Sequence, residues 1–397
     1  MIIIAITSML FNGTELQKEF IKHNGLGKLL FFLQQKDKIF YQLACKCFSL
    51  LSESEEILNK IIENECLNTI IISCLRSKDI DLETLKEITK IFINLILWRK
   101  LKSIKAEIIE TTCCLCDIGL MIDDLDMNIL AMFCLNSLSE DEENHEKIIQ
   151  QGATSGGIDN PGANNPASQA VAIPKGKGKG NNADASHQAA QSIFPRINFL
   201  LRHCRQEQNF DTLDKSKREL LITLITSFYL NLARNKNNRD FLLKLELFRS
   251  LSDLMHQGAA GAETLQTNKT ALCYTNTIFS KLLKFEQSRI SCMEEGGYRL
   301  FISILQSPDN KHLFLETLDC VKLFLMKRQN LEKFEEIPQH VALGKSCPEL
   351  NVSLLQVLAI LSFEKKNHGA LKDAKFLESL REAGLFDAIF AHFDKLL

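Results

Sequence analysis

Cys113-Cys114-Leu115-Cys116 sets two thiols three residues apart, the spacing that opens many zinc sites. Zinc requires two further ligands. The chain has no second C-x-x-C and no H-x-x-x-H pair, and the nearest candidates are Cys134 and His145. Inside an apolar run such cysteines behave as small hydrophobes, so the expected role is packing in a helix core. Lys175-Gly176-Lys177-Gly178-Lys179-Gly180 is the other stretch with the look of chemistry. It lacks the G-x-x-x-x-G-K-[ST] order, a preceding strand and a following helix, so no nucleotide pocket is predicted there. It reads as a solvated basic linker, with weak contact to an acidic surface or nucleic acid as the alternative. The nine His include no H-E-x-x-H, and no G-x-S-x-G occurs. Asp123-Asp124 and Glu140–Glu143 fall near helix starts or loops, and carboxylates favour the helix N-terminus. The expectation is a chain that is not an enzyme and that takes no metal, cofactor or small-molecule substrate.

Composition points the same way. The 397 residues are 45% hydrophobic, ample for burial, and the formal charge of -2 gives no global attraction to nucleic acid or an anionic membrane. Seven Pro, one Trp and abundant Leu, Ile, Lys and Glu favour helix over strand. The 13 Cys form no framework, which predicts free thiols in a reducing compartment and hence a cytoplasmic protein, cytoskeletal association included. No run of about 18 apolar residues predicts a membrane span. Met1 to Phe11 is apolar but has no basic n-region, so it is not read as a signal peptide.

The elements that would position any site come from a repeat. Leu220 to Leu230 reads as a helix closing on Asn231-Leu232-Ala233-Arg234-Asn235, followed by Asn237-Asn238-Arg239. Looser versions of that ending recur as Ser49-Leu50-Leu51-Ser52, Ile93-Asn94-Leu95, Asn136-Ser137-Leu138-Ser139 and Ile360-Leu361-Ser362. With Met9 in the leucine position of an opening half-repeat, the steps Met9–Leu51, Leu51–Leu95 and Leu95–Leu138 are 42, 44 and 43 residues. A near-fixed period of this size is the mark of stacked helical repeats. The first full unit is expected as Leu16 to His23, a break at Asn24-Gly25 with glycine as the left-handed stop, an apolar run from Leu29 to Gln34, and a closing helix from Phe40 to Leu51. The second is Leu58 to Ile62, Ile70 to Leu75 and Leu82 to Leu97; the third is Ile104 to Ile109, Cys113 to Ile122 and Met127 to Leu138. Later units are expected around Phe241 to Phe285 and from Glu286 to Met326 with Gly296-Gly297 at the junction, then to Phe363 and from Phe376 onward with Gly384.

These motifs resemble the armadillo-repeat family, whose unit of about 42 residues has a short first helix and two longer ones, the third ending in Asn-Leu-Ser or Asn-Leu-Ala. The poorer units leave the neighbouring HEAT class open. The resemblance implies an all-α, right-handed superhelical solenoid of roughly eight to nine degenerate repeats. It covers nearly the whole chain except one insertion. Ile148 to Ala153 begins the family's junction between its first two helical segments, and Ile193-Phe194-Pro195 completes it. Residues 154–191 contain no Phe, Tyr or Trp and are rich in Gly, Ala, Asn, Ser and Pro, which predicts a disordered loop extruded from one repeat. The expected organisation is therefore repeats over 1–153, the insertion over 154–191, and the same solenoid continuing over 192–397.

The family binds extended partners along a concave groove lined by closing helices. Carried over by position, the ladder-asparagine place is filled here by Asn94 and Asn231, but by Leu50 and Ser137 in two other units. Four residues earlier come Lys46, Lys90, Phe133 and Ser227. The importin-α branch has Trp there, so a nuclear-transport adaptor is the weaker alternative. Lys46 and Lys90 instead favour an acidic peptide, as in the catenin-like branch. The expected function is a non-enzymatic scaffold whose groove includes Lys46, Lys90, Asn94, Phe133 and Asn231; the other alternative is a regulatory or assembly subunit of chaperone or GTPase-regulator type. Because Met1-Ile2-Ile3-Ile4 is apolar and opens inside a closing helix, the chain is also expected to be a piece of a longer protein.

Overall fold

The computed structural model describes residues 2–11, 13–35, 37–64, 66–67, 69–70, 81–98, 106–154, 193–203, 212–256, 268–306, 308–327, 356–357 and 360. The described residues are helical, with turns and short 3-10 segments between the helices, and none of their helices is long and apolar enough to cross a membrane. The expected insertion over 154–191, with its Lys-Gly run, lies outside them apart from Thr154, as do the expected apolar run over 71–75 and nearly all of the weaker units beyond 327.

The chain divides into two compact units, residues 1–197 with 216–224, and residues 198–215 with 225–397. In the first unit, α1 (Ile2–Phe11) precedes a three-helix repeat of α2 (Thr14–Lys22), α3 (Gly25–Gln34) and α4 (Lys38–Ser52). Then come α5 (Glu55–Glu63), α6 (Leu82–Leu97), α7 (Ala106–Leu120), α8 (Leu125–Ser139) and α9 (His145–Thr154). Helices α10 (Ile193–His203) and α11 (Thr212–Arg234) contribute residues to both units. In the second unit, α12 (Arg239–Leu243), α13 (Leu247–His256) and α14 (Lys269–Leu282) form one short-to-long triplet. α15 (Glu286–Glu294), α16 (Tyr298–Gln306) and α17 (Phe314–Leu325) form the next. These triplets define an armadillo-like repeat fold.

The closing helices pack in succession, α1 on α4, α4 on α6 and α6 on α8 in the first unit, and α14 on α17 in the second. Their starts are set by one repeated device. Asp37, Asp81 and Asp124 cap α4, α6 and α8, accepting from the backbone N–H of Ile39, Thr84 and Met127 at 2.8, 2.8 and 2.7 Å. Each such cap stabilises its helix by about 1 kcal/mol. Lys38 at the start of α4 pairs with Asp81 at 3.8 Å, and Lys86 on α6 pairs with Asp124 at 3.2 Å, so the cap of one helix also receives a cation from the helix before it. Asn268 repeats the cap on α14, accepting from the Ala271 N–H at 3.0 Å.

The ends are equally regular. Leu51, Leu95, Leu138 and Leu232 are fully buried, each burial contributing about 1.5–3 kcal/mol. In α1 the buried position is Leu10, 1% exposed, whereas the expected anchor Met9 is 52% exposed. The register of this first helix is therefore one residue later than the leucine spacing implied. Past the closing leucine, Asn144 and Asn238 donate to the carbonyls of Leu138 and Leu232, both at 3.0 Å. Asp141 and Asn235 cap the short turns between, accepting from Glu143 N–H at 3.3 Å and Asn237 N–H at 2.9 Å. The polar run after Asn231 thus satisfies helix-end carbonyls and reverses the chain.

The junctions between first and second helices correct two expectations. At Asn24-Gly25 it is Asn24 that takes the left-handed conformation, with φ 56°. Gly25 opens α3 instead, and a Cβ there would lie 2.3 Å from the Phe20 ring. At Gly296-Gly297 the first glycine does turn left-handed, with φ 74°, and Gly297 N–H closes back on the Cys292 carbonyl at 2.7 Å. A Cβ on Gly297 would meet Cys292 Sγ at 2.9 Å and Phe248 Cβ at 3.0 Å. Between α12 and α13 Glu246, φ 49°, makes the same turn with no glycine to announce it. The third repeat differs more. The expected break between Ile109 and Cys113 is absent, and α7 runs unbroken because Glu110-Thr111-Thr112 contains no helix breaker and Thr112 packs inward.

Aromatic rings fill the second unit. Phe248 meets Phe279 edge-on at 4.8 Å, Phe279 meets Phe301 at 5.7 Å, and Phe301 meets Phe324 at 6.1 Å. Edge-to-face pairs of this kind add about 0.5–1.5 kcal/mol each beyond their buried area.

Candidate partner-binding surface

Each closing helix buries most of its circumference and leaves one narrow stripe toward solvent, recurring every three or four residues as helical geometry requires. On α4 that stripe includes Gln42, Lys46 and Leu50; on α6 it includes Lys86, Lys90 and Asn94; on α8 it includes Ile129, Phe133 and Ser137. Because α4, α6 and α8 pack side by side, these residues form rows across three repeats. Lys46, Lys90 and Phe133 occupy one row, and Leu50, Asn94 and Ser137 the next.

The members of the rows are not equally free. Lys46 is exposed, and among the described residues no carboxylate is within ion-pair distance of it. Lys90 Nζ is 2.9 Å from Glu87 Oε1 on its own helix, so its charge is already shared. Asn94 turns sideways, donating from Nδ2 to Ser52 Oγ at 2.8 Å on the preceding closing helix. Phe133 is half-buried, with part of its ring presented to solvent. Asn231 lies in the second unit, is 6% exposed, and its Oδ1 accepts from Arg234 Nη1 at 3.1 Å. Four of the five expected groove residues thus share neighbouring helices, while Asn231 is held within its own repeat end.

Reading the sequence missed a polar cluster on α14 and α17. Glu316 accepts from Thr277 Oγ1 at 3.1 Å and Asn276 Nδ2 at 3.3 Å, and Thr317 donates to Asn276 Oδ1 at 3.4 Å. Cys273 Sγ lies 3.9 Å from His312 Nε2. The available signal was position: Thr277 stands where Ser227 stands in the repeat before, on the outward stripe.

The cysteines belong to the interior. Cys113, Cys116 and Cys134 are fully buried on α7 and α8, and among the described residues no three His, Cys, Asp or Glu side chains gather to hold a metal. A hydrogen bond with Cys134, then burial, pushes the Cys116 thiol well above the usual thiol range, which disfavours the thiolate that a ligand or nucleophile needs. His145 is buried with Nε2 2.7 Å from the Ser139 carbonyl. Burial, with Glu316 adding to it, raises the Cys273 thiol as well.

Comparison with known proteins places the fold. No protein-family model matches the sequence. No curated protein matches it either. Among solved structures, an engineered protein from a structural-genomics consortium superposes with a TM-score of 0.52 at 12% identity, over 98% of this chain and 86% of its own. A designed armadillo repeat protein is similar at TM-score 0.46 and 14% identity, over 75% of this chain and 99% of its own. A second designed armadillo repeat protein, solved in complex with the peptide (KR)4, gives the same figures. The first likeness supports the repeat fold.

Proposed function

We propose that this chain is a non-enzymatic scaffold that lays an extended segment of another protein across the outward stripe of its closing helices. The observation that supports this reading best is the alignment of Lys46, Lys90 and Phe133 on three helices packed side by side. Such a row offers a repeating contact at each successive helix, which suits a chain lying across them better than a compact ligand. Lys46, exposed and without a carboxylate partner among the described residues, favours an acidic residue in that segment, and Phe133 favours an apolar one beside it. Lys90 contributes less than its charge suggests because Glu87 competes for it. The same reading takes no cofactor, nucleic acid or small-molecule substrate, and locates the protein in the cytoplasm, with the cytoskeleton as a place of attachment.

Affinity capture with the full chain, compared with K46E/K90E, tests the proposal. Interaction partners lost on charge reversal, with helicity unchanged, support it. Identical partner sets for the two proteins would remove the stripe from consideration.

A further inference from the structure

Arg239 is 6% exposed, yet its Nε is buried without a partner, and no carboxylate or carbonyl among the described residues accepts from its guanidinium. Arginine does not lose its proton in proteins, and a buried donor left unpaired is costly. Its counterparts in neighbouring repeats are both satisfied. His145 bonds the Ser139 carbonyl at 2.7 Å, and Arg289 donates to the carbonyls of Leu283 at 2.8 Å and Lys284 at 3.3 Å. Arg239 makes neither kind of contact. Its Cζ instead lies 3.9 Å from the centre of the Phe285 ring.

Phe285 is the residue immediately before α15, a nine-residue helix whose first turn receives no side-chain cap. Within that turn Ser288 is fully buried, and its hydroxyl has no partner. Glu286, the acidic residue of the turn, is already held by Lys327. An uncapped helix N-terminus presents unpaired N–H groups and partial positive charge, and the guanidinium over the ring of its capping residue adds a full one. Phe285 is itself 39% exposed, so the ring that meets the guanidinium lies at the surface.

We propose that Arg239 and the N-terminus of α15 form an anion site, separate from the closing-helix stripe, that takes an oxyanion of the carboxylate or phosphate class. One oxygen accepts from Nε–H and another from an Nη–H, the side-on pairing that guanidinium geometry allows, while the first-turn N–H groups of α15 face the same charge.

The test uses the full chain labelled at arginine Nε, titrated with inorganic phosphate or with acetate at constant ionic strength, against chloride. R239K, which removes a single Nε–H resonance, assigns the signal. The Arg239 resonance is expected to move saturably with phosphate or acetate and to stay still with chloride. Movement with both anions identifies an acidic side chain as a sufficient ligand; movement with phosphate alone identifies a phosphoryl group. A melting temperature that rises saturably with the same anion in wild type, and not in R239Q, is the second readout. An Arg239 resonance indifferent to both anions overturns the proposal, and so does an equal thermal response in R239Q. The resonance measurement needs only wild type to fold in quantity, so a poorly folding R239Q leaves a decisive result.

Discussion

The side-chain amide of Asn94 donates to the hydroxyl of Ser52, 2.8 Å away on the preceding closing helix, and that hydroxyl donates in turn to the Ser49 carbonyl at 2.6 Å. The residue that occupies the ladder-asparagine position therefore ties two repeats together before any partner arrives. N94A is expected to cost about 1 kcal/mol, the usual net value of such a bond. S52A should cost less, because half-buried Asn94 can turn to water while buried Ser52 cannot. Urea denaturation of both single variants and the double variant measures the coupling, and additive losses would mean that the bond is not formed in solution.

Arg196 and Asp117 give a second, asymmetric pair. Arg196 Nη1 reaches both the carboxylate of Asp117, at 2.5 Å, and its backbone carbonyl, at 2.8 Å, fixing the first turn of α10 to the end of α7. The side chains are only 13% and 21% exposed, and burial outweighs the neighbouring cation in raising the Asp117 carboxyl above its usual range. R196M strands that carboxylate and should cost about 2–3 kcal/mol, below the figure for a fully buried pair. D117N leaves the carbonyl acceptor in place and should cost about 1 kcal/mol or less. Equal losses in a denaturant series would contradict this account.

Glu295 supplies a pH dependence. Its Oε2 accepts from the Arg249 backbone N–H at 3.1 Å at the start of α13, yet burial, with Glu246 contributing, raises its pKa. A carboxyl whose folded pKa is raised contributes stability that is complete below its unfolded pKa, about 4.3, and is lost as pH rises through the folded value. E295Q keeps an acceptor oxygen and has no proton to lose. The stability of E295Q relative to wild type should therefore improve as pH rises from about 4 toward neutrality. Parallel pH–stability curves for the two proteins would show that Glu295 is not desolvated.

Gly297→Ala should destabilise by about 1–3 kcal/mol through crowding alone. Its added methyl meets Cys292 Sγ, Phe248 Cβ and Phe279 Cε1 between 2.9 and 3.1 Å. Gly296→Ala meets only Arg299, no closer than 3.7 Å, and its cost comes from φ 74° instead. Thermal melts with bulkier residues separate the two causes: the loss at 297 should grow with side-chain volume, and the loss at 296 should not.

What was legible in the sequence was whatever repeats at a fixed step. The leucine endings located α4, α6, α8 and α11 because closing helices carry the buried column, and α6 falls over Leu82–Leu97 as expected. The caps Asp37, Asp81 and Asp124 repeat at nearly the same step, so the sequence carries them too. Less visible was anything one residue wide. Met9 and Leu10 are both apolar, and only packing distinguishes the buried one. Asn24 and Glu246 turn left-handed where glycine is the usual guide. For the stripe, the row of Lys46, Lys90 and Phe133 followed from spacing, but the side chains that occupy its members did not. Glu87 lies three residues from Lys90 and Ser52 forty-two from Asn94, and only the folded geometry shows that both are engaged.

The most direct test of the scaffold proposal is photo-crosslinking from Phe133, replaced by benzoylphenylalanine, in cell extract. A control probe replaces Leu16, 40% exposed on α2 and outside the outward rows of α4, α6 and α8. A discrete adduct is expected from position 133, mapped to an acidic extended segment of another protein, absent at position 16 and lost when K46E/K90E is added to the probe-bearing chain. An adduct that survives K46E/K90E, or none from position 133 while position 16 crosslinks, would contradict it.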